Sequence, residues 1–244
     1  MLQKLDATKK QGNSHISILY PGLDLSKADT GYFSIGRIDQ AHIGAGAVIK
    51  MHPHINDDIL SYFRSGKVKH LDSEGFQEDI TPGRLMLMKA GKIFHHEEAV
   101  EKTVEGLQIF IRPGKKDNKP EVLFDELESI YSDNKWRLIA SPDKTKTRLQ
   151  LSSETSIYDS RLVAGNELRL PATPSSEKRF LLYVFQGSVT VNHQIELAKA
   201  DSLLIDQEDV LMTTGSEAEL VLFQTDIHGP YYDGGMYSGN RYLD

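Results

Sequence analysis

Two short stretches of the chain could do chemistry together: His52-Pro53-His54 and, about forty residues later, His95-His96-Glu97-Glu98. Alternate side chains of a strand share a face, so His52 and His54 would point the same way, and so would His96 and Glu98. Three imidazoles and one carboxylate on one centre suit a first-row transition metal better than magnesium or calcium, and four ligands leave room for water, dioxygen or substrate. The expected metal ligands are therefore His52, His54, His96 and Glu98. His95 is expected on the opposite strand face from His96, although a one-residue shift of register would exchange the two. Asp58 is balanced between a partner that orients a ligand imidazole and a solvated strand end. His15, His42, His70, His193 and His228 stand alone and are expected at the surface or satisfied in the interior.

The elements that hold these residues must be strands. Short apolar runs punctuated by glycine and charged turns recur along the chain, the pattern of a sandwich or barrel of antiparallel strands. Expected strands in the first half are Ala47–Lys50, Ile59–Phe63, Lys67–Leu71, Leu85–Lys89 and Leu107–Arg112, with Ser65-Gly66 and Asp72-Ser73-Glu74-Gly75 as hairpin turns. The polar, breaker-rich stretch Pro113–Pro120 reads as a connector, and Glu121–Tyr131 carries a helical period. Expected strands of the second half are Leu149–Leu151, Phe180–Phe185, Ser188–Val191, Ser202–Ile205 and Leu220–Gln224. An internal repeat aligns Tyr62 with Tyr183 and Met88 with Ile205. It carries His52 and His54 onto Thr173 and Ser175, and His96 and Glu98 onto Thr213 and Gly215, so the second unit keeps the scaffold and lacks the ligands.

Composition bounds the chemistry further. The chain has 244 residues, enough for one large domain or two small ones, and a formal charge of −7. It shows no basic run or aromatic-interleaved basic patch, which disfavours direct nucleic-acid binding. The absence of cysteine excludes disulfides, thiolate metal sites and cysteine nucleophiles. The N-terminal stretch lacks the apolar core of a signal peptide, and no later run has the roughly 20 apolar residues that span a bilayer. The expectation is a soluble, cytoplasmic protein. Tyr231, Tyr232, Tyr237 and Tyr242, with glycines between them, are expected to form either a lid or a tail docked on a barrel.

Gly46, five residues, then His52-Pro53-His54 with Gly66 closing the unit resembles the first motif of the cupin superfamily, and Gly83, Lys89-Ala90-Gly91 and His96 resemble the second. The run Ile59-Leu60-Ser61-Tyr62, then His70-Leu71-Asp72-Ser73-Glu74-Gly75, His96-Glu97-Glu98 and Gly106-Leu107-Gln108-Ile109-Phe110 is similar to the pirins and the bacterial pirin-like proteins. The resemblance implies an all-β bicupin: two antiparallel β-barrels of the double-stranded β-helix type, face to face, joined here by a short helical connector. Residues 1–135 would form the N-terminal barrel with the metal site and connector, and residues 136–244 a C-terminal barrel without ligands. The resemblance further implies one divalent transition metal on His52, His54, His96 and Glu98, Fe(II) first, with Ni, Cu, Mn or Co as alternatives. The function implied is a quercetinase-like dioxygenase that opens a small aromatic or flavonol-like substrate with dioxygen, Glu98 taking the substrate proton. The alternative is a redox-sensing, metal-binding regulator that engages a protein partner without turnover.

Overall fold

The computed structural model describes residues 1–25, 28–172 and 177–242. Thr173 and Ser175, the repeat positions opposite His52 and His54, lie outside the described residues. In chain order the first ten strands are β1 (Leu2–Leu5), β2 (Gln11–Gly12), β3 (Ile16–Leu19), β4 (Ile35–Ile43), β5 (Val48–His54), β6 (Asp58–Asp72), β7 (Gln77–Ile80), β8 (Arg84–Lys89), β9 (Phe94–Ile111) and β10 (Glu121–Glu126). They are followed by β11 (Arg137–Ala140), β12 (Thr155–Val163), β13 (Glu167–Arg169), β14 (Lys178–Val191), β15 (Ile195–Ala198), β16 (Ser202–Asp206), β17 (Leu211–Thr213) and β18 (Glu217–Asp226). Among the described residues the only helix is one 3-10 turn, Ala7–Lys9. Among the described residues no helix is long and apolar enough to cross a membrane.

The strands make two sheets of nine. One has the order β10-β8-β6-β9-β4-β3-β2, with β5 added to β9 and β7 to β6; the other runs β1-β16-β14-β18-β12-β11, with β15 and β17 on β14 and β13 on β17. The aligned tyrosines sit at matching places, since Tyr62 pairs with Leu107 of β9 and Tyr183 with Val221 of β18. Each then reaches across the molecule to the equivalent strand of the other half. The Tyr62 hydroxyl donates to Asp159 on β12 at 3.0 Å, and the Tyr183 hydroxyl donates to Gln40 on β4 at 2.7 Å. The repeat is thus a pseudo-twofold, and one strand, β1, is supplied by the N-terminal end to the second sheet.

Period-2 alternation divides the apolar residues among three cores. Ile59, Phe63, Met86, Met88, Phe94 and Phe110 fill the first barrel, and Phe180, Leu182, Val184, Val191 and Leu222 fill the second. The opposite faces of the same strands, Leu60, Tyr62, Leu87 and Ile109 against Leu181, Tyr183, Leu204 and Phe223, form the seam between the sheets. Each such Leu or Ile, fully buried, contributes about 1.5–3 kcal/mol relative to exposure.

Three sequence expectations are corrected. Glu121–Tyr131 is not helical: Glu121–Glu126 is β10, paired antiparallel with the otherwise open edge of β8. Val122 and Phe124 face the first barrel while Leu123 faces the seam, so alternation and the need to cover an edge prevail over a weak helical period. Ser65-Gly66 is not a hairpin turn. β6 runs on through it for 15 residues, and Gly66, at φ +87°, sits in an irregular register against β9, where a Cβ would stand 2.3 Å from the Thr103 carbonyl oxygen. Leu149–Leu151 is not a strand but an isolated bridge between Ser141 and Gln150; both leucines are buried in the seam.

Candidate metal centre

β5 pairs only with β9, and an edge strand tolerates the proline between the two histidines because its missing N–H breaks no ladder. His52 lies directly opposite His96, and His54 opposite Phe94. Burial along β9 alternates without a break from Phe94 to Val100, which puts His96 and Glu98 inside the barrel and turns His95 the other way. The result is a triad. The Nε2 atoms of His52 and His54 stand 3.1 Å apart, those of His54 and His96 3.0 Å, and those of His96 and His52 3.1 Å.

The tautomers agree with this arrangement. His52 Nδ1 is 2.9 Å from the Lys50 carbonyl oxygen, so its proton belongs there and the Nε2 lone pair is free. His54 Nδ1 faces an Asp57 carboxylate oxygen at 3.9 Å. His96 Nδ1 meets His70 Nδ1 at 3.2 Å, and His70 Nε2 in turn faces Asp72 at 3.6 Å. Burial, then the rings of His54, His52 and His70, push His96 down to about 2, so it is neutral at any working pH. Burial also lowers His52 and His70.

Three convergent lone pairs call for a cation. Two nitrogens about 2.1 Å from one ion and at right angles stand about 3.0 Å apart, whereas tetrahedral ligation would spread them to about 3.4 Å. The observed edges therefore fit three adjacent positions of a six-coordinate ion, and the donor set is chemically suited to a divalent transition metal. Glu98 faces the same interior but is outside the group of donors that lie within 4.8 Å of one another, which comprises His52, His54 and His96 alone. Its two oxygens accept from Gln108 Nε2 at 3.0 and 3.3 Å, and burial pushes its carboxyl up to about 7.

That shift makes a pH prediction for the metal-free protein. A carboxyl whose folded value lies above its ordinary 4.5 stabilises the fold below that value and loses the contribution as pH rises through 7. Relative to Glu98→Gln, the wild type is expected to lose about 3 kcal/mol between pH 4.5 and pH 8. Urea unfolding of both proteins across that range checks it; parallel stability curves would refute it.

Several residues around the triad carry roles that their sequence positions did not disclose. His70, expected at the surface or satisfied in the interior, is 1% exposed and touches His96; the other lone histidines, His15, His42, His193 and His228, are exposed. Asp58 is neither an imidazole partner nor solvated. It is buried and accepts from the Ser152 backbone N–H at 2.9 Å and from the Ser152 hydroxyl, with burial raising it to about 6. Its neighbour Asp57 is the one that faces a triad imidazole. Among the tyrosines, Tyr237 packs its ring 5.1 Å from the His54 ring, so this part of the C-terminal segment is docked. Phe63 and Phe94 lie in the barrel interior and Ile49 is half-buried. A cleft of about 490 Å³ adjoins, lined in part by Asp72 and Phe94, the cross-strand partners of His96 and His54.

Comparison with known proteins agrees with this architecture. Residues 6–111 match the pirin family, and residues 138–224 match the quercetinase C-terminal cupin domain. A quercetin 2,3-dioxygenase of Escherichia coli (strain K12) is 27% identical over 197 residues, covering 79% of this chain and 83% of that one. The crystal structure of YhhW from Escherichia coli superposes with a TM-score of 0.79 at 23% identity, covering 95% of this chain and 99% of that one. A crystal structure of the bacterial pirin YhhW in complex with nickel(II) gives 0.76 at 22% identity, covering 93% and 99%. With both halves matched in order, and with two nine-stranded sheets packed across a pseudo-twofold, the chain belongs to the pirin-like proteins of the cupin superfamily and has the bicupin fold.

Proposed function

We propose that the protein is a metal-dependent dioxygenase with quercetinase-like activity toward a small aromatic or flavonol-like substrate. The observation that carries the reading is the triad of His52, His54 and His96, whose three Nε2 lone pairs converge with edges of 3.0–3.1 Å and would together hold a divalent transition metal. The name of the Escherichia coli relative and the nickel(II) in the YhhW structure support it.

His52, His54 and His96 would hold the ion, with Glu98 as the fourth ligand or as a base. When bound, a divalent transition metal supplies Lewis acidity that favours the deprotonated form of an enediol-like or hydroxy-ketone oxygen. Glu98, raised to about 7, is suited to take a hydroxyl proton near neutral pH, and the Gln108 amide keeps its carboxylate in place. Phe63, Phe94 and Phe110 line the barrel interior and exclude water from the buried side of the triad. His52 is the least buried of the three imidazoles and marks the side from which substrate would approach.

The test is elemental analysis of the purified protein followed by dioxygen uptake with quercetin, for the wild type beside His52→Ala. About one equivalent of Fe, Ni, Cu, Mn or Co, with oxygen consumed by the wild type and not by the variant, is the expected result. Bound metal without oxygen uptake would overturn the enzyme and favour the redox-sensing regulator.

A further inference from the structure

The segment after β18 returns to the first barrel and is anchored beside the triad on three sides. The Asp57 Oδ1 atom accepts from the Ser238 N–H at 2.8 Å and the Ser238 hydroxyl at 2.7 Å, and the Tyr237 N–H is shared between Oδ1 and Oδ2 at 3.2 and 3.1 Å. Arg112 Nε donates to the Ser238 carbonyl oxygen at 2.9 Å, and the Met236 N–H donates to the Ile55 carbonyl oxygen at 2.8 Å. Two glycines admit the contact: a Cβ on Gly36 would stand 2.3 Å from the Ser238 carbonyl oxygen, and one on Gly235 2.6 Å from Asp57 Oδ1. Ser238 is fully buried.

These anchors bear on one imidazole. With both of its oxygens held by the segment, Asp57 presents Oδ2 to His54 Nδ1 at 3.9 Å, a buried nitrogen with no hydrogen-bond partner among the described residues. On the ring's face, Tyr237 stands 5.1 Å away and is itself packed on Phe110 at 5.5 Å and under the Arg37 guanidinium at 5.3 Å. We propose that the C-terminal segment is a positioning element of the metal centre: it orients Asp57 and lays Tyr237 on the His54 ring, so that docking of the segment and binding of metal reinforce each other. This rests on the reading of the triad as a metal site. Asp57 and Tyr237 are positioning residues, because both act through His54. Coupling of two binding events is reciprocal, so whatever the segment adds to metal affinity the metal must return as protection of the segment.

Nickel(II) alone serves as the probe, titrated calorimetrically into the full-length metal-free wild type and the Tyr237→Ala, Tyr237→Phe and Gly235→Val variants. Groups that orient a ligand imidazole typically change metal affinity by about 10–100-fold. A weakening of roughly tenfold is expected for Tyr237→Ala and Gly235→Val, with Tyr237→Phe close to wild type because the ring is retained. In the wild type, saturating nickel(II) is expected to slow hydrogen exchange at the Met236, Tyr237 and Ser238 amides by roughly the same factor. That measurement needs no variant and holds even if Gly235→Val fails to fold. Wild-type binding with unchanged affinities in the variants, or with unaltered exchange at those amides, would overturn the inference and leave the metal centre standing. A wild type that takes up no nickel(II) would remove both.

Discussion

Replacing His96 by alanine is expected to yield a folded protein that retains no divalent metal through dialysis. The imidazole supplies one of three converging donors, and at 2% exposure no surface group or solvent donor stands ready to substitute. The fold has little to lose in the metal-free state, where three lone pairs held 3.0–3.1 Å apart repel one another and removal of one relieves them. What disappears is linkage: the wild type at a metal concentration 100 times the dissociation constant gains about 2.7 kcal/mol, seen as a metal-dependent rise in unfolding temperature, and the variant gains nothing. His70→Ala separates holding from ligating. It leaves all three Nε2 donors and removes only the partner of His96 Nδ1, so metal binding should weaken by about 10–100-fold rather than vanish. Equal metal content in the His96→Ala and wild-type proteins would put the ion elsewhere.

The largest single loss of stability is expected at Arg112. Its side chain is fully buried, and its guanidinium makes a two-pronged contact with Asp29 at 2.6 and 2.8 Å and donates to the Phe33 and Ser238 carbonyl oxygens at 2.9 Å each. It also lies where a side chain on Gly31 would be, 2.5 Å from that position, so the loop is built around it. Removing the guanidinium leaves the Phe33 and Ser238 carbonyls unmet, at about 1–3 kcal/mol each, while Asp29, whose side chain is 31% exposed, can be rehydrated. Arg112→Met should show that loss in denaturant unfolding, and Asp29→Asn, which keeps the shape and half of the hydrogen bonding, a smaller one. A change below about 1 kcal/mol for Arg112→Met would mean that the contact is replaceable by packing.

The triad histidines were legible because both motifs lie where alternation is unbroken. His52-Pro53-His54 lies on an edge strand and His96 in a run where every second residue is buried, so period-2 reasoning brings the three Nε2 atoms together. His70 escaped for a physical reason. In β6, Ile59 and Phe63 face the barrel at odd positions, and from Phe63 the alternation assigns His70 to the outside; the irregular register around Gly66 reverses the parity, so Val68, His70 and Asp72 face inward at even positions. The second half carries the same device, since inward Leu182 and Val184 give way to Val189 and Val191 beyond a register shift, with Gly187 at φ +79°. Asp57 rather than Asp58 faces the imidazole through the same sensitivity to a single residue: Asp58, with Leu60 and Tyr62, belongs to the seam. The docked C-terminal segment left no mark in local pattern, because its anchors, Asp57 and Arg112, are 181 and 126 residues away from Ser238.

The pairing of β1 with β16 has a consequence for the order in which the protein can be completed. Leu2 is matched with Ile205 and Leu5 with Ser202, so the partner of the first strand is made about 200 residues later. At a synthesis rate of roughly 5–20 residues per second, the first strand waits about 10–40 s on the ribosome before its hydrogen bonds can form. The first barrel can assemble in that interval from β3 to β10, all of whose partners lie within its own sheet. The second sheet cannot, and its β16 edge stays exposed until β1, made about 200 residues earlier, comes back to cover it. The two halves therefore mature in different ways: one as its own sequence emerges, the other only by reaching back to a strand that precedes the first barrel.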